Sequence, residues 1–133
     1  MKALSVTLAL LLAPGSALGR TYICDVKAAA TFTTGTFKPI ANESNWLNLI
    51  KTVTFEEDTG LLRYGSEGTW EQFSMKVLQR GTESNSTIAV YSQQGAARHV
   101  LSTLRISGWE RGAPFVWDNQ GDFFVGNCKA YGN

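Results

Sequence analysis

The sequence predicts an all-β domain: a small antiparallel barrel of about seven or eight strands, with a β-sandwich as the alternative and the termini joined by one disulfide. Three observations carry this. Short runs of alternating apolar and polar residues recur along the chain, punctuated by turn residues. No long stretch shows convincing helical periodicity. The two cysteines, Cys24 and Cys128, sit near opposite ends of the chain.

Residues 1–19 have the layout of a secretory leader. Lys2 supplies a positive start and Leu4–Ala13 an apolar segment. Pro14–Gly15 break that segment ahead of Ala17-Leu18-Gly19. Small residues at the −3 and −1 positions predict cleavage between Gly19 and Arg20. The apolar run is shorter than the roughly 20 residues needed to cross a bilayer, so no membrane span is expected. A lipid-anchoring signal would need a cysteine at the cleavage point, and Cys24 lies too far along. The expected product is an exported, periplasmic or secreted monomer, with residues 20–133 as one domain.

Arg20–Thr34 opens that domain as a long strand. Tyr22, Cys24, Val26, Ala28, Ala30 and Phe32 share one parity, against Thr21, Asp25, Lys27, Thr31 and Thr33. Gly35–Asn45 reads as a loop in which Ser44 can cap a short helical turn. Trp46–Glu57 resumes the alternation, with Leu49, Lys51, Val53 and Phe55 on one side. Asp58-Thr59-Gly60 forms a turn, and Leu61–Tyr64 returns antiparallel. Residues 64–68 make a further loop. Thr69–Arg80 fits either a helix capped by Thr69 and Gln72 or a strand alternating through Phe73, Met75 and Val77. The strand is favoured, with Ile88–Tyr91 as its hairpin partner. Ser92–Ala96 is read as a loop, Arg98–Ser107 as a strand and Gly108–Pro114 as a turn-rich connection. The chain closes on a hairpin, Phe115–Trp117 and Phe123–Cys128, through a four-residue turn ending at Gly121.

In an exported chain two cysteines are most simply a disulfide. That bond requires α-carbons within about 7 Å, which makes the first and last strands neighbours and favours a barrel over a sandwich.

With Lys2 removed from the twelve basic residues, eleven remain to balance eleven acidic ones. That neutrality, without a basic run, argues against nucleic acid as the partner. His99 is the single histidine, so a two-histidine metal site is excluded, and neither a metal nor a cofactor is expected. No serine near His99 lies in a nucleophile elbow. Glu56, Glu57 and Asp58 are the one carboxylate cluster able to serve an envelope-polymer hydrolase, although an acidic run before Thr59-Gly60 also reads as a solvated turn. Asn42-Glu43-Ser44 and Asn85-Ser86-Thr87 match glycosylation acceptors, relevant only in a eukaryotic secretory pathway.

The aromatic content is more suggestive: four tryptophans, seven phenylalanines and four tyrosines. The last hairpin carries apolar bulk on both faces. One face must be core, and the other is covered, lines a pocket or meets a partner. Trp46, Trp109, Phe115, Trp117 and Phe124 are the candidate contact residues.

Tyr22-Ile23-Cys24-Asp25 behind a leader, with a second cysteine near the end, resembles the periplasmic inhibitors of C-type lysozyme. Those are small bacterial β-barrels, and the resemblance implies a barrel of similar size. They insert a Ser-Gly-x-x-Tyr type loop into the lysozyme cleft. Tyr64-Gly65-Ser66 holds those residues in another order, so the inhibitory activity does not carry over. The function expected from the sequence is a non-enzymatic binding module for a protein or a small apolar ligand.

Overall fold

A computed structural model describes residues 19–40, 49–95 and 99–132. The described residues form ten strands: β1 (Thr21–Thr33), β2 (Thr36–Pro39), β3 (Thr52–Glu56), β4 (Leu61–Ser66), β5 (Thr69–Ser74), β6 (Lys76–Gln79), β7 (Thr87–Gln94), β8 (His99–Ile106), β9 (Pro114–Asn119) and β10 (Asp122–Tyr131). Nine follow one antiparallel path, β5-β4-β3-β1-β10-β9-β8-β7-β6, and β2 pairs only with β1. Apart from the β1–β10 pair and the β1–β3 pair, which skips β2, neighbours along that path are consecutive in the chain. The result is an up-and-down meander curled until its first and last strands meet, a nearly closed barrel.

The seam of the barrel lies between β5 and β6, which are two halves of one run interrupted only at Met75. The first half pairs with β4 and the second with β7. At the bend Met75 N–H donates to Gly60 O at 2.7 Å. Gly60 has φ +71°, and a Cβ there would fall 2.0 Å from Met75 O, so only glycine lets the β3–β4 turn reach the seam. The Thr69–Arg80 stretch is thus strand throughout its regular part, and its second half makes the expected hairpin.

Alternation places the core. Tyr22, Cys24, Val53, Phe55, Leu62, Ala89, Leu104, Ile106, Phe115, Trp117 and Phe124 point inward and are buried. One expectation fails along β1. The pairing slips between Val26, opposite Gly126, and Ala28, opposite Val125. Lys27 is the extra residue of a bulge, and such an insertion reverses every later side chain. Ala29 is therefore buried, while Phe32 is 48% exposed. Gly126 makes the bulge possible, since a Cβ on it would sit 1.8 Å from Asp25 O.

Several boundaries differ from expectation, chiefly because ladder hydrogen bonds extend strands through polar and glycine residues. Within the described part of 46–57 the strand starts only at Thr52, and Ile50 rather than Leu49 is buried. The Ser44-capped turn lies outside the described residues. β4 runs to Ser66 and leaves Glu67-Gly68 as the turn. β7 continues to Gln94. The last hairpin closes through two residues, not four: Asn119 pairs with Asp122 around Gln120 and Gly121, with φ of 58° and 95°. Positive φ at both positions is the geometry that matches strand twist in a two-residue hairpin.

Cys24 and Cys128 face each other directly in the β1–β10 register and are bonded, with Cα atoms 3.9 Å apart. They close a separation of 104 residues. In the chain-entropy model a loop of this order contributes about 4–5 kcal/mol. Reduction should therefore lower the thermal midpoint markedly, and an unchanged melting curve in reductant would contradict a stabilising role. Gly126→Ala should cost roughly 2 kcal/mol or more through the clash at the bulge. A denaturant midpoint equal to that of the parent chain would show that the bulge relaxes.

Candidate binding site

The register gives the barrel two ends of opposite character. One gathers the start of β1, the β3–β4 turn, the start of β7 and the 107–113 connection. It is sealed by polar bonds. Glu57 is 3% exposed, and its carboxylate accepts from Arg20 N at 2.8 Å, Gly81 N at 2.8 Å and the Thr87 hydroxyl. Thr87 Oγ1 is hydrogen-bonded to Tyr22 Oη at 3.1 Å. Beside this network Ser86 Oγ and Ser107 Oγ lie 3.1 Å apart, and Trp109 Nε1 donates to Ser86 Oγ at 3.2 Å.

The other end is an aromatic mouth. Tyr64 on β4, Phe73 on β5 and Tyr91 on β7 are half-buried above Trp117, which is fully enclosed. Tyr64 meets Trp117 at 4.8 Å between ring centroids. Phe73 meets Tyr91 edge-on at 5.1 Å, and Trp117 stacks on Phe124 at 5.1 Å. The floor is fixed by polar bonds: Trp117 Nε1 donates to Ser102 Oγ at 2.8 Å, and that hydroxyl donates to Asp118 O at 3.0 Å. Two adjoining depressions open here. One of about 260 Å³ is lined by Leu49, Ile50, Tyr64, Thr69, Glu71 and Asn119. The second, of about 240 Å³, is lined by Tyr64, Phe73, Tyr91, Val100, Asn119 and Gln120. Tyr64 stands between them, its hydroxyl bonded to the Glu71 carboxylate.

The candidate contact residues separate. Phe115, Trp117 and Phe124 belong to the interior, with Trp117 and Phe124 forming the mouth's floor. Trp109 is 46% exposed at the sealed end. Trp46 lies outside the described residues. The outer face of the last hairpin shows Val116 and Val125 to solvent, while Phe123 packs against Phe37, which in turn packs on Phe32.

The acidic cluster does not converge. Glu56 accepts from Thr59 Oγ1, Glu57 is internal, and Asp58 pairs with Arg80 at 3.1 Å. His99 bonds Ser92 across the β7–β8 ladder, at an exposed position. Among the described residues no group of three or more His, Cys, Asp or Glu gathers as a metal site. Tyr64-Gly65-Ser66 is strand, not loop. Asn85 lies in an exposed loop, and Asn42 falls outside the described residues.

Sequence reasoning missed Tyr64, Phe73, Tyr91 and Glu71 as a group, because they sit on three strands and each reads locally as ordinary core or surface. The available signal was the tyrosines. An inward-parity tyrosine near a strand end places its ring in the core and its hydroxyl at the rim. The chain matches no protein-family model, and no curated protein or solved structure shows significant similarity to it.

Burial, with the hydrogen bond and charge of Glu71 behind it, pushes the Tyr64 phenol up to about 12 from 10.0. The neutral phenol is the form the fold favours. Its contribution to stability is complete below about pH 10 and disappears as pH rises through about 12. In an ultraviolet titration of the phenolate band, Tyr64→Phe should remove a step near pH 12. Loss of a step near pH 10 instead would mean that Tyr64 is neither buried nor bonded to Glu71 in solution.

Proposed function

We propose that this chain is an exported, non-enzymatic binding module whose aromatic mouth receives an apolar side chain of a partner protein. The observation that carries this is the pair of depressions on either side of Tyr64. Each falls below the roughly 300–1,000 Å³ of pockets that engulf a drug-sized ligand. Their size suits single inserted groups. Ringed by Glu71, Asn119 and Gln120, they have the anatomy of an interface hot spot, with aromatic anchors inside a polar rim. The secretory layout of residues 1–19 and the neutral charge support a partner met outside the cytoplasm, and no observation favours the carboxylate-hydrolase alternative.

Capture of a partner from the exported fraction tests this. Tyr91→Ala, which opens the second depression, should weaken capture at least tenfold, whereas Trp109→Ala at the sealed end should leave it intact. The reverse pattern would move the site away from the mouth. A small apolar molecule retained on gentle purification, seen by native mass spectrometry and lost in Tyr91→Ala, would replace the protein partner with a carried ligand.

A further inference from the structure

We infer that Glu57 is the receptor for the α-ammonium exposed by cleavage before Arg20, so that the sealed end of the barrel is completed only in the processed chain. The inference rests on the export reading for the cleavage itself, and on the structure for its consequence. Small residues at Ala17 and Gly19 place the cut at the Gly19–Arg20 bond. Independently, the nitrogen at that bond is the atom that meets the buried carboxylate: Arg20 N lies 2.8 Å from Glu57 Oε2.

The local geometry holds Arg20 in place without help from residue 19. Glu57 N–H donates to Arg20 O at 3.0 Å while Arg20 N–H donates to the Glu57 carboxylate, so the two residues clasp each other. Tyr22, two residues on, is wholly buried and bonded to Thr87. Gly19 contributes only an exposed bond from its nitrogen to Asp58 Oδ1 at 2.9 Å, and Asp58 keeps Arg80 when Gly19 leaves.

The chemistry of the step is hydrolysis by a signal peptidase. Water adds across the Gly19–Arg20 amide, the acyl carbon leaves with the leader as the Gly19 carboxylate, and the Arg20 nitrogen takes up a proton to become an ammonium. A neutral N–H donor thereby becomes a full positive charge at the same position. The Gly81 N–H and the Thr87 hydroxyl, Glu57's two other donors here, are both uncharged. A carboxylate this far from water gains most from a hydrogen-bonded counter-charge, because solvent screening is weak there. The uncleaved chain has only the amide to offer, and a barrel end that is weaker before cleavage suits a chain exported before it folds.

The test compares the chain secreted by its own leader with the same chain made in the cytoplasm bearing Met-Gly before Arg20 and oxidised until the Cys24–Cys128 bond has formed, each with and without Glu57→Gln. Intact mass must first show that the secreted protein starts at Arg20. A chain never processed would sink the export reading and this inference together, whereas processing at another bond would overturn only the inference. With Glu57 present, the extension should lower the thermal midpoint by about 4–8 °C, as loss of roughly 1 kcal/mol does in a domain near this size. In E57Q the two amino ends should melt alike. An extension that costs nothing, or costs the same in both backgrounds, overturns the coupling while leaving the mouth untouched. Should E57Q fail to fold, acylation of the Arg20 amine provides the readout. It should react at least tenfold more slowly in the native secreted protein than in the urea-unfolded chain, and equal rates would overturn the inference.

Discussion

The pairing of β1 with β10 is the constraint on which everything else rests. Of the other ladders along the sheet, all but β1–β3, which reaches past β2, join strands consecutive in the chain, and together they would form an open meander by themselves. Only the β1–β10 ladder, from Thr21 opposite Tyr131 to Thr31 opposite Asp122, brings the ends together. Bringing such distant segments together carries the largest loop-closure cost in the fold. The Cys24–Cys128 bond lies inside that ladder and lowers the cost by restricting the unfolded chain. Closure also removes two sheet edges, which would otherwise be templates for pairing with other chains.

Closure then creates two ends, and the chain treats them differently. At the end bearing Arg20 and Glu57, polar groups bond one another across β1, the β3–β4 turn and β7. At the opposite end the interior finishes in aromatic rings, with Trp117 locked from below by Ser102 and Tyr64 tied at the rim to Glu71. A rigid aromatic floor under a polar rim is suited to recognition because little side-chain freedom remains to be lost on binding. The polar end instead holds the N-terminal strand in register. The two proposals are thus placed at opposite ends of one barrel, and neither depends on the residues of the other.

The secondary structure was legible wherever alternation was uninterrupted. Val53 and Phe55, Leu104 and Ile106, and Phe115 and Trp117 each share the buried face that their alternation predicts, because strand geometry alone dictates that residues two apart share a side. Legibility ended at Lys27. A bulge is a property of two strands at once, and its enabling residue, Gly126, lies far along the chain from it. Strand ends are hidden in the sequence for a related reason. Gly65, Gln93 and Gln94 look like loop residues, yet a neighbouring ladder holds them extended.

What the sequence by itself determined is the class: an all-β domain with strands of alternating pattern, closed on itself by the one cysteine pairing available. Those features follow from local periodicity and from counting. Only the tertiary structure decided which aromatic residues form the mouth, and that Glu57, which reads as part of a solvated acidic turn, is buried against Arg20. The physical reason is that both sites are assembled across strands. Tyr64, Phe73 and Tyr91 become neighbours only once β5 and β6 bend at Met75 and the sheet curls, and Glu57 meets Arg20 only once β3 pairs with β1. Local pattern specifies the face a side chain takes, whereas curvature and register specify its companions.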